Sequence, residues 1–116
     1  MLLDTPQCHV GWQAPDFTLL DPEGRRHTLA ENLGESGLLI AFICNHCPYV
    51  KAIAKRFVLD AQALQLEGIS VLAIMSNDYR AVPEDNPGSM ARFSQKFDFS
   101  FPYLVDEEQT VARAYG

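Results

Sequence analysis

Basic charge is scarce in this 116-residue sequence: nine lysines and arginines stand against fifteen aspartates and glutamates, a formal net charge of -6. A surface that gathers phosphates cannot be built from that balance, which excludes nucleic acid as the main partner. Long apolar runs are also missing, and no window approaches the roughly 18 apolar residues of a membrane span. The opening MLLDTPQCHVG has no basic lead, no apolar stretch and no small-residue cleavage site. The expectation is therefore a cytoplasmic protein with no membrane partner. Cysteine is sparse too, with three in the chain. An odd count without a secretory leader argues against a structural disulfide framework and turns attention to reactive or metal-bound thiols. No repeat or low-complexity tract is visible, and the proline-rich patch Val82 to Gly88 is too short to divide the chain, so residues 1–116 read as one domain.

What the sequence does contain is an alternation of strand-like and helix-like segments. An apolar content of 47% with 21% charged residues is ordinary globular composition. Phe17 to Leu20 and Arg26 to Leu29 flank the turn-forming Asp21-Pro22-Glu23-Gly24 and predict a short hairpin. Leu38 to Ile43 is a continuous apolar run, which fits a strand covered on both faces, and Ile69 to Met75 reads the same way. Between them Val50, Ile53, Phe57, Ala61 and Leu64 recur at three- and four-residue steps, one apolar face of a helix that Gly68 can stop. Asn86-Pro87 predicts a capped helix start with Met90, Phe93 and Phe97 facing inward. After the strand Phe101 to Val105, Asp106 and Gln109 predict a capping box opening a last helix through Tyr115. Strands alternating with helices imply an α/β protein with a parallel sheet.

The stretch ICNHCPYV, Ile43 to Val50, carries the chemistry. Two cysteines three apart fall where a buried strand gives way to an amphipathic helix, and in an α/β pattern that placement is the thioredoxin-like signature. A thiol reacts as its thiolate, so something must favour ionisation. The helix start offers unpaired amides and a positive dipole end to Cys44, and His46, if protonated, adds a second positive charge. These predict a depressed Cys44 pKa. Cys47, one turn into the helix and followed by Pro48, is expected behind it and more buried. Two cysteines so spaced across a helix start can come within disulfide range. A metal clamp on the same thiols and a pair of inert thiols are the competing readings.

A wider likeness rests on three further stretches. GWQAPDFTLL, Gly11 to Leu20, resembles the G-x-x-A-P-D-F-x-L opening of the peroxiredoxin-like branch of the thioredoxin superfamily, the alkyl hydroperoxide reductase and thiol-specific antioxidant group. SNDYRAVPEDNPGSM and FPYLVDEEQTVARAYG, with FICNHCPYVKAI, are similar to the redoxin proteins of that branch. The resemblance implies a thioredoxin-like fold with an N-terminal hairpin extension. It makes Cys44 the attacking thiol of a thiol–disulfide oxidoreductase and Cys47 the resolving one. His46 then favours the thiolate, as the histidine does in protein disulfide isomerase, and Asn45, Pro48 and Tyr49 line the substrate side. No metal or organic cofactor is implied. The partners would be a protein or small-molecule disulfide and a cellular thiol reductant.

The departures from the family pattern are informative. Peroxiredoxins carry P-x-x-x-T-x-x-C; counting back from Cys47, the threonine position holds Cys44 and the proline position holds Ile40. Disulfide exchange is thus expected ahead of peroxide reduction, which remains an alternative. A copper-chaperone-like module on the same thiols is another, although no histidine follows His46. The family continues past the position of Gly116 with a cis-proline loop, two strands and a helix. The expectation is a fold truncated before the cis-proline strand, with Leu38 to Ile43 left as a sheet edge that a second copy could cover in a homodimer. Cys8 and His9 read as tail residues, His27 as hairpin surface, and Trp12 as packing beside the cysteines. Asp78, Arg80, Glu84 and Asp85 read as a solvated loop.

Overall fold

A computed structural model describes residues 7–116; Met1 to Pro6, which the leader argument above covers in part, lie outside the described residues. Five strands form one sheet: β1 (Thr18–Leu20), β2 (Arg26–Thr28), β3 (Gly37–Phe42), β4 (Ile69–Met75) and β5 (Tyr103–Val105). Three helices accompany them: α1 (Pro48–Leu66), α2 (Pro87–Lys96) and α3 (Thr110–Tyr115). The strand order is β2-β1-β5-β4-β3. Strand β4 runs parallel to both β3 and β5, whereas β1 pairs antiparallel with β5 and with β2. The sheet is therefore mixed. The hairpin joins the main sheet through β5, so both strand directions occur in one layer.

The core divides across β4 because successive side chains of a strand point to opposite faces. Val71, Ala73 and Met75 pack with Ala54, Val58 and Ala61 of α1, with Met90 and Phe93 of α2, and with Phe101 and Tyr103. Leu72 and Ile74 turn the other way onto Phe17, Leu104 and Val111. Both faces are buried, as a continuous apolar run requires. Among the described residues β3 has a neighbour on one side only and is covered less than its sequence suggests; Leu39 and Phe42 are 39% and 42% exposed.

Helix ends follow local chemistry. Gly68, at φ 84°, sits just past the end of α1 and its N–H reaches the Gln65 carbonyl. The Asn86 side chain accepts from the Ser89 N–H and starts α2 as expected. Two details differ from the sequence reading. Along α1 the face against the sheet is centred on Ala54, Val58 and Ala61, and Ile53 is 54% exposed, because small alanines let the helix approach β4. At α3 no capping box forms: Gln109 adopts a left-handed conformation, and its side chain bonds to the Glu107 carbonyl. The buried Asp106 carboxylate instead takes the free N–H groups of Val111 and Ala112 together with the Ser76 hydroxyl.

One glycine is required by close approach. A Cβ at Gly34 would stand 2.5 Å from the Gly68 carbonyl oxygen and 2.8 Å from the Ser70 nitrogen, where the segments entering β3 and β4 meet. Both are backbone atoms and cannot swing aside. Gly34→Ala is expected to lower stability by about 1–3 kcal/mol, measured as a reduced urea midpoint at unchanged slope. A midpoint equal to that of the parent would show that the junction can spread without cost.

Candidate active site

Strand β3 delivers the chain to Cys44, and the loop of residues 43–47 turns it into α1, whose first residue is Pro48. Proline fits there because the first helical turn leaves its amide positions unused. Cys47 is thus the residue preceding the helix, in extended conformation, and not a turn inside it. Both thiols are half-buried and border one cleft of about 230 Å³, lined by Phe42, Ile43, Val50 and Asn77. Pro48 and Tyr49 are exposed, Tyr49 at 81%. Cys8 is exposed in the N-terminal segment.

Asn45 does not border this cleft. It is buried, and its backbone N–H donates to Asp85 Oδ1 at 2.8 Å while its side-chain amide donates to the Glu84 carbonyl at 2.9 Å. Its side-chain oxygen accepts from the Tyr103 hydroxyl at 2.8 Å. Asn45, the first of the two residues between the cysteines, is clamped from β5 and from the loop before α2. Burial holds the Tyr103 hydroxyl far above the usual tyrosine range, and the Asp85 and Cys44 charges push the same way.

Asp85, read from the sequence as part of a solvated loop, is fully buried. A short 3-10 turn, Pro83–Asp85, carries it beneath the cysteine loop. Its Oδ2 accepts from His46 Nδ1 at 2.6 Å and from the Asn77 side-chain amide at 2.8 Å. His46 keeps an exposed side chain on the outer side of this contact.

The sequence-based expectation for the Cys44 thiol is reversed. Burial pushes its pKa up. The backbone N–H of Cys47 pulls it down, the Asp85 charge and the Cys47 thiol push it up again, and the His46 N–H offers a small return. The helix-start amides are present where expected. Desolvation and a buried carboxylate outweigh them.

Cys44, His46 and Asp85 place a sulfur, a ring nitrogen and a carboxylate oxygen within 4.8 Å of one another, a spacing at which a cation could be considered. The surroundings of Asp85 argue otherwise. Its two oxygens already accept from three N–H donors, which leaves little of the carboxylate for a cation. We do not assign a metal to it.

A model described as the AhpC/TSA family matches residues 10–116. The chain belongs to the AhpC/TSA family. As a member it is similar to the thiol-disulfide oxidoreductase ResA of Geobacillus thermodenitrificans, at 31% identity over 92% of this chain and 57% of that protein. The crystal structure of an uncharacterized conserved protein from Geobacillus kaustophilus superposes with a TM-score of 0.90 at 38% identity, covering 97% of this chain and 63% of the other. A secreted disulfide oxidoreductase from Mycobacterium tuberculosis shares the fold at TM-score 0.70 and 20% identity, over 86% of this chain and 67% of that one. The fold of this AhpC/TSA member is thioredoxin-like. The chain spans less than two thirds of the length of the ResA relative.

Proposed function

We propose that the domain is a thiol–disulfide oxidoreductase in which Cys44 attacks and Cys47 resolves. The observation that carries the reading is the shared cleft: Cys44 and Cys47 both border it at the start of a 19-residue helix. In the exchange the Cys44 thiolate attacks a substrate disulfide, forming a mixed disulfide and expelling one thiolate. Cys47 then attacks Cys44 Sγ, the second substrate thiol leaves, and an internal disulfide remains. Two electrons and two protons pass to the substrate. A cellular thiol reverses the process on the protein.

The name of the ResA relative supports this class of reaction. The substrate is a protein or small-molecule disulfide that presents apolar groups to Phe42, Ile43 and Val50 beside the sulfurs. The open side of β3, with Leu39 and Phe42 partly exposed, is where a second copy would pair in a homodimer.

The deciding experiment is intact-mass spectrometry after mild oxidation and after reduction, with peptide mapping. The expected result is loss of two hydrogens, mapped to a Cys44–Cys47 link, with no metal adduct in native spectra. Oxidation that links Cys8 instead, or that leaves all three thiols free, would overturn the reading.

A further inference from the structure

Apart from the two cysteines, the cleft is walled by apolar side chains except at Ser76 and Asn77, the first residues beyond β4, and among the described residues none that is charged lines it. The sheet sets their place. Phe42 lies opposite Ile74 in the parallel register, and the Ile43 N–H donates to the Ile74 carbonyl at 3.0 Å. The chain therefore leaves β3 into Cys44 where it leaves β4 into Ser76 and Asn77. This is the carboxyl end of two parallel strands, the end at which open α/β sheets bind ligands.

What these two side chains have left to offer follows from the bonds they already make. The Ser76 hydroxyl gives its one hydrogen to Asp106 Oδ2 at 2.9 Å. The Asn77 backbone N–H donates to Met75 Sδ at 3.2 Å, and its side-chain amide donates to the fully buried Asp85 at 2.8 Å. A carboxylate that takes three N–H donors turns the nitrogen of an amide toward itself, so Asn77 cannot flip and its Oδ1 is held away from Asp85. Among the described residues no donor reaches that oxygen, and none of their buried side-chain nitrogens and oxygens lacks a partner, so it is open to a ligand.

From this arrangement we infer that Asn77 is a specificity-determining residue: its Oδ1 accepts the backbone N–H beside the substrate's disulfide, so that the preferred substrate is a peptide disulfide. This rests on the cysteine pair carrying out the proposed exchange. An uncharged cleft suits a neutral amide better than a free ammonium group, and a disulfide without N–H groups leaves the acceptor unpaired when it covers it.

Steady-state reduction of two matched disulfides tests this. One is the disulfide of N-acetylcysteine methylamide; in the other, ester oxygens replace both N–H groups and the shape is nearly kept. The parent protein is expected to reduce the amide with a kcat/KM roughly 10-fold above that for the ester, the effect of one hydrogen bond to a neutral donor. In Asn77→Ala the ratio is expected to fall to about one, because the bond that distinguishes the two substrates is gone. Freeing Asp85 from its Asn77 bond alters the attacking thiol for both substrates alike and cancels in the ratio, whereas loss of Oδ1 acts on the amide alone. Equal rates in the parent would overturn the inference without any variant, which covers an Asn77→Ala that does not fold. A preference retained in folded Asn77→Ala would overturn it as well. Reduction of neither disulfide by the parent would strike the proposed function and this inference with it, while equal reduction of both strikes this inference alone.

Discussion

Cys44→Ser is expected to abolish disulfide reduction, by roughly three orders of magnitude or more, while Cys47→Ser accumulates a covalent adduct with the substrate. The two outcomes differ because the two sulfurs enter at different steps. A serine at residue 44 cannot make the first bond, and loss of a nucleophile leaves only the residual catalysis of the site around it. With residue 47 altered, the attack from Cys44 proceeds, one substrate thiol leaves, and the mixed disulfide has no internal thiol to resolve it. Non-reducing mass spectrometry after exposure to a small disulfide reads both results. An adduct trapped in Cys44→Ser and absent from Cys47→Ser would exchange the two roles. The basis for the assignment is position: Cys44 precedes the turn into α1, Cys47 stands immediately before the helix, and both border one cleft.

The largest loss of stability is expected from Leu72→Ala. Leu72 is fully buried in β4, the strand that lies between β3 and β5, and it packs with Phe17, Ile74, Leu104 and Val111. Its neighbours are held by the sheet on one side and by Phe17 and Val111 on the other, which limits their collapse into the space. Removing the side chain should cost about 3–5 kcal/mol, a large share of the roughly 5–15 kcal/mol that a domain of this kind possesses. Urea unfolding followed by circular dichroism would show it. Leu66→Ala, at a residue 89% exposed on α1, should change stability by less than about 0.5 kcal/mol. Equal losses at the two positions would mean that β4 is not the centre of the fold.

The elements that were legible in the sequence are those marked by local chemistry. Gly68 ends α1 because a left-handed turn suits glycine, and Asn86 starts α2 because its side chain meets a free amide three residues on. The cysteine pair was legible through its position between an apolar run and a helix. Asp85 was not, because nothing within VPEDNPG separates it from Glu84. Its burial is decided by the loop of residues 43–47, some 40 residues earlier in the chain, whose amide and imidazole it receives. The direction of the Cys44 shift was missed for the same reason. A helix start and a histidine can be counted along the chain, but desolvation and a carboxylate arriving from another element cannot. The mixed sheet was hidden likewise, since a hairpin read locally does not reveal that β1 will lie against β5.

The three-point fixation of Asn45 bears on how long a substrate stays attached. With Asn45, the first of the two residues between the cysteines, held by Asp85, Glu84 and Tyr103, the loop is braced against opening. In the proposed exchange the Cys47 sulfur would meet the mixed disulfide at a high effective molarity, its attack being unimolecular where that of any free thiol is bimolecular. Ring closure outcompetes an external thiol until the latter's concentration matches that local value. In the proposed exchange, bound substrate would be short-lived and the electrons would pass as a pair.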